Sequence, residues 1–196
     1  MAQNLAQTNC DVNNPARDGL SIGPGLQNPG TVGNPSLPTV WASFLNKKEW
    51  RWCWYGHFTF RDVAGLPGGL KHHVHPETAV KVWDKWIHGL NREAYGVKYW
   101  KDKSKGVVWA RGTEFQIRGA IHFHALIGLI PDRVRRMDYL DEWFTMAGIA
   151  RIYDYEPGKG AEFYMSKSSY AWKRGEIDLG GPLAYQLDTR QGVMSF

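Results

Sequence analysis

From Lys48 to Arg61 the chain alternates. Trp50, Trp52, Trp54, Phe58 and Phe60 fall on one face, with Gly56 among them, and Arg51, Cys53, Tyr55, His57, Thr59 and Arg61 on the other. A period of two with aromatics and Thr predicts a strand. After a Gly-rich loop, Pro76-Glu77-Thr78 opens a helix expected to run to about Arg92, with Val80, Val82, Trp83, Trp86, Ile87 and Leu90 as its apolar stripe. A basic turn over Lys101–Lys105 leads into a strand from Val107 to Ile117. Arg118-Gly119 breaks that pattern before a second strand over Ile121–Ile130. Asp132–Met146 reads as a helix stopped by Gly148, Ala150–Tyr155 as a strand, and Ala161–Trp172 as a short helix. Hairpin-connected strands interleaved with amphipathic helices predict an α+β fold: a central antiparallel sheet of about five strands with helices packed on one face.

Composition bounds this picture without deciding the function. Of 196 residues, 43% are hydrophobic and 22% charged, which suits one globular domain. Residues 1–40 contain no aromatic side chain and are rich in Asn, Gly and Pro, so a disordered tail is expected there, with the folded domain spanning 41–196. No apolar run is long enough to cross a bilayer and no secretory signal is evident, so no membrane partner is expected. Two cysteines, Cys10 and Cys53, exclude a disulfide framework and a Cys-rich zinc module and point to a cytoplasmic protein. The net charge is +5, and the tail, with Asp11, Asp18 and Arg17, carries −1 of it. The excess of base over residues 41–196 favours a polyanionic partner without requiring one.

The sharpest chemical feature is His122-Phe123-His124. Histidines at i and i+2 of a strand share a face. Two imidazoles waste a core face but suit a metal ion, although H-x-H by itself is more often a structural or exposed pair. A three-residue loop Arg118-Gly119-Ala120 would set residue 114 opposite 124 and put Glu114 on the histidine face; a two-residue loop would turn it away. Two histidines and a carboxylate would leave coordination positions for a phosphate oxygen on a divalent ion, Mg²⁺ or Mn²⁺. The second feature is Tyr164-Met165-Ser166-Lys167 on the last helix. Tyr and Lys at i, i+3 lie on one side, so the ammonium can favour the phenolate; a tyrosine merely packed on the sheet gives the same pattern.

Together with Phe58-Thr59-Phe60 at the end of the first strand, these motifs resemble, in order, those of rolling-circle replication initiators of the HUH endonuclease superfamily. The resemblance spans about residues 50–172. It implies a ferredoxin- or RRM-like sheet, with a divalent metal on Glu114, His122 and His124. It also implies a nucleophilic Tyr164 that becomes linked to a 5′ phosphate and leaves a free 3′-OH, with Lys167 steering phosphate or phenolate. The activity implied is site-specific nicking and joining of single-stranded DNA at the replication origin of a plasmid or phage-like element. Ser168 stands where two-tyrosine relatives carry their second tyrosine, so the single-tyrosine type is matched. No Walker A sequence occurs, so a host helicase and polymerase would be needed. A single-tyrosine transposase, or a non-catalytic nucleic-acid-binding sheet, are the alternatives.

Arg61, Lys101, Lys103, Lys105, Arg111 and Arg118 are the candidate phosphate contacts, though a solvated hairpin tip explains the lysines equally well. His72-His73-Val74-His75 is a weaker metal candidate. The aromatic face of the first strand could stack bases, but is better read as core beneath the helices.

Overall fold

A computed structural model describes residues 37–47, 50–62, 72–116, 119–165 and 177–182. Five strands form one antiparallel sheet: β1 (Trp52–Phe60), β2 (Val108–Phe115), β3 (Ile121–Gly128), β4 (Gly148–Asp154) and β5 (Ile177–Gly180). Their order across the sheet is β4-β1-β3-β2-β5. Helix α1 (Leu37–Leu45) precedes β1, α2 (Pro76–Tyr95) follows it, α3 (Arg136–Met146) lies between β3 and β4, and residues 161–165 form a short helix, α4. The α+β sheet with packed helices is the expected architecture. Two elements had no strong pattern. One is β5, four residues long. The other is α1, which places residues 37–40 in a helix rather than in a tail; residues 1–36 lie outside the described residues.

The two long helices cover one face. Buried Ala79, Trp83, Trp86, Ile87, Leu90 and Ala94 recur at helical spacing along α2, and Gly96, at φ 90°, ends it. Beneath them lie Trp54, Phe58 and Phe60 of β1, Phe123, Ala125 and Ile127 of β3, and Ile152 of β4, joined by Trp143 of α3. Phe58 is the hub: its ring meets those of Trp143 at 4.9 Å, Trp86 at 5.1 Å and Trp83 at 5.2 Å, all edge-on. Such pairs contribute about 0.5–1.5 kcal/mol each beyond their burial. Gly148 starts β4 because the backbone of Thr59 runs too close for a side chain; a Cβ would stand 2.2 Å from the Thr59 carbonyl oxygen.

The other face carries a second, smaller core at one end only. Leu45 of α1, Ala161 and Met165 of α4, and Val108, Ala110, Leu126 and Ile177 of the sheet bury together with Trp50 and Trp52. Those two tryptophans were expected on the face of Trp54 and Phe58. A one-residue irregularity moves them: Trp52 pairs with Gly128 but Trp54 with Ile127, so Cys53 is the extra residue. Trp50 and Trp52 then stack at 5.4 Å, and their indole N–H groups donate to the carbonyls of Phe44 and Leu45 at 2.9 and 2.7 Å. The end of α1 is thereby capped by side chains. Gly128 permits the crossing, since a Cβ there would lie 2.5 Å from the Trp50 carbonyl oxygen.

Candidate functional site

The open half of this second face gathers the polar residues that alternate with the core. Tyr55, His57 and Thr59 come from β1, Glu114 from β2, His122 and His124 from β3, and Arg151 and Tyr153 from β4. The hairpin pairs Glu114 with His122 and Gly112 with His124. This differs from the expected register by two residues: the Gln116 N–H bonds to the Ala120 carbonyl and Phe115 pairs with Ile121. A shift of two preserves the face, so Glu114 still joins the histidines.

Three imidazoles converge. His57, His122 and His124 each offer a ring nitrogen within 4.8 Å of the others, and among the described residues they are the group suited to holding a metal ion. His57 lies beside His124, with ring centres 4.7 Å apart. Thr59 Oγ1 lies 3.0 Å from His122 Nδ1, and His124 Nε2 lies 2.8 Å from Glu114 Oε2. A carboxylate accepts, so His124 Nε2 carries the proton and Nδ1 keeps its lone pair. That Nδ1 is buried and has no hydrogen-bond partner. An orphaned nitrogen on an imidazole grouped with two others suits a metal site better than plain packing. His57 joins His122 and His124 in this cluster, and Glu114 of the expected ligand set touches it through His124.

Burial sets the protonation. It lowers His122 to about 4, aided by the neighbouring His124 and His57, and lowers His124 to about 4, aided by His57. His57 is lowered too, by burial first and then by Arg151. All three are neutral near pH 7, the state in which imidazole binds metal. Burial raises Tyr55 well above the usual tyrosine range, reinforced by Tyr164, Glu114 and Tyr153.

Tyr164 leans over this cluster. Ala161 and Met165, at i and i+4, seat α4 in the small core, which leaves Tyr164 on the flank, 48% exposed. Its ring centre lies 5.0 Å from that of His124 and 5.9 Å from that of His57. The Tyr155 hydroxyl donates to buried Glu162 and ties α4 back to the end of β4. Lys167 and Arg118 lie outside the described residues.

The remaining basic candidates separate. Arg61 is exposed at the end of β1, with its guanidinium over the Phe144 ring at 5.4 Å. Lys101, Lys103 and Lys105 are exposed on the turn before β2, at the end of that strand away from Glu114; Lys105 pairs with Asp102 at 3.4 Å. Arg111 is not a surface contact. It is 4% exposed on the helix face, ion-paired to Asp178 and 4.6 Å above the Phe123 ring. Odd positions of β2 face the helices while Gly112 and Glu114 face the site, and strand parity therefore excludes Arg111 from it. His73 pairs with Asp62 at 2.9 Å instead of joining His72 and His75 in a cluster.

His57 was within reach of sequence reasoning, since it shares the Thr59 face. What was missing was the pairing of β1 directly with β3, which sets His57 opposite His124. No helix among the described residues is long and apolar enough to cross a membrane. No family model, no curated protein and no solved structure matches this chain.

Proposed function

We propose that this protein cleaves and rejoins single-stranded DNA through a tyrosyl–phosphate linkage, as an initiator of rolling-circle replication does. The observation that carries the reading is the half-exposed Tyr164 standing 5.0 Å from the imidazole of His124, in a cluster suited to a metal ion. A packing tyrosine would be buried, and a non-catalytic sheet would need no histidine cluster with an orphaned nitrogen beside it.

His57, His122 and His124 would hold the divalent ion, with Glu114 orienting His124. Imidazole suits Mn²⁺ or a later first-row ion better than Mg²⁺, which prefers oxygen. When bound, such an ion supplies Lewis-acid polarisation of a phosphate oxygen and offsets its developing charge. The chain's own part is positioning. Tyr164 Oη attacks phosphorus; the Oη–P bond forms as the bond from phosphorus to the 3′ oxygen breaks. The phenol proton has a path to water because Tyr164 is open to solvent, and the departing 3′ oxygen takes a proton to become a 3′-OH. Lys167 would stabilise phenolate or phosphate. The phosphotyrosine bond keeps the linkage energy, so a 3′-OH can reverse the step and join ends.

The test is incubation of the full chain with Mn²⁺ and a pool of single-stranded oligonucleotides, followed by mass spectrometry of any adduct peptide. An adduct on Tyr164, lost in Tyr164→Phe, is expected. An adduct on Tyr153, Tyr155 or Tyr170 would overturn the assignment of the nucleophile, and no adduct with any DNA would overturn the reading.

A further inference from the structure

The outer strand β4 carries a row of side chains that neither core uses. Ile149, Arg151 and Tyr153 are all exposed, at 60% for Ile149 and 49% for Tyr153. They alternate with Gly148, Ala150 and Ile152, which face α3 and the aromatic core. Their register ties them to the site: Ile149 lies opposite Thr59, Arg151 opposite His57, and Tyr153 opposite Tyr55. Directly opposed residues hold their Cβ atoms about 4.5–5.5 Å apart, so Arg151 is rooted next to a member of the histidine cluster. The Tyr153 ring meets the His57 ring edge-on at 6.3 Å.

The charge on this row is unanswered. Arg151 has no ion pair among the described residues. The nearest acid along the strand, Asp154, lies on the opposite parity and pairs with Arg136 of α3 at 3.5 Å. An exposed cation beside an exposed aromatic ring, with an aliphatic side chain continuing the row, matches a single strand of nucleic acid, which offers a phosphate and an unstacked base together. A duplex hides its base faces. A peptide adding to the free edge of β4 would engage the backbone rather than these outward side chains.

We propose that the open face of β4 seats the single strand beside the phosphate that reacts, with Arg151 gripping a neighbouring phosphate and Tyr153 stacking a base. This rests on the DNA-cleaving reading and adds to it the path of the substrate. The strand runs along β4 past His57, away from the lysine-rich turn before β2. Arg151 and Tyr153 act by positioning, since neither touches the reacting atoms.

The experiment measures binding of an oligo(dT) of about 12 nucleotides to the full chain in chelator, where no cleavage competes. Arg151→Gln should weaken binding about tenfold and flatten the salt dependence by about 0.7 in log–log slope, one phosphate's worth. Arg151→Lys should restore most of both. Tyr153→Ala should weaken binding about tenfold, while Tyr153→Phe, which keeps the ring, should not. A methylphosphonate placed linkage by linkage should reveal one position that weakens wild type but has no further effect on Arg151→Gln. Wild-type binding by all four variants, in a chain whose parent still forms the Tyr164 adduct, would overturn this seat and leave the reaction standing. A parent that neither binds DNA nor forms an adduct would overturn both. A concentration-dependent dimer broken by Tyr153→Ala, with DNA binding unchanged, would assign the face to a second copy and overturn the proposal.

Discussion

The two faces of the sheet are made of alternate residues from the same strands, and they have opposite characters. On one, Phe58, Phe60 and Phe123 meet Trp83, Trp86 and Trp143 in an edge-on aromatic core sealed by α2 and α3. On the other, His57, Thr59 and His122 stand half-buried one residue away along the same backbones, with His124 buried among them. The comparison teaches a division of labour. The sealed face makes the strands rigid, and rigidity lets the open face hold a buried imidazole nitrogen, His124 Nδ1, without a hydrogen-bond partner. Arg111 marks the boundary: one position from Gly112, it belongs wholly to the packed side.

The largest break in this comparison should come from a single oxygen on the open face. Tyr164→Phe is expected to abolish adduct formation while the thermal midpoint stays within about 2 °C, since the residue is half exposed and its ring is retained. Adduct assays beside thermal melts check both halves. The converse break is Phe58→Ala on the sealed face. Loss of a fully buried ring with three aromatic partners should cost about 3–5 kcal/mol, read by urea unfolding, with activity falling only as the folded fraction falls.

Acid sharpens the contrast. The folded values of His122 and His124, about 4, lie below the unfolded value of 6.5. Between those limits the unfolded chain binds protons that the fold excludes, so their contribution is fully present above pH 6.5 and is lost as pH falls to 4. In chelator the thermal midpoint should therefore fall as pH drops from 6.5 towards 4. A His122→Gln, His124→Gln variant should flatten that part of the curve. Manganese should raise the midpoint of the native chain but not of this variant.

The smallest effect concerns Glu114. Glu114→Gln keeps an oxygen for His124 Nε2–H but removes the charge, and is expected to weaken Mn²⁺ binding about 10–100-fold by calorimetry. His57→Ala should weaken it more. The reverse ranking would return Glu114 to the ligand set and demote His57.

Period and motif order were legible in the chain itself. Alternation around Phe58, the stripe on α2 and the i, i+2 histidines required only local geometry, because side-chain direction in a strand or helix follows from position along it. The side on which Glu114 falls followed only if the loop held three residues, and its partner did not follow at all: the observed pairing keeps the histidine face and moves the register by two. Three matters rested on tertiary structure. Cys53 inserts one residue, which sends Trp50 and Trp52 to the opposite face from Trp54, and no local pattern distinguishes a continuous strand from one with an extra residue. Arg111 looks like any surface base until the strand's parity against α2 buries it. His57 becomes a member of the cluster only because β1 pairs with β3, an adjacency between residues far apart in the chain. Such long-range pairing is set by how two hydrophobic faces bury together, which local spacing does not encode.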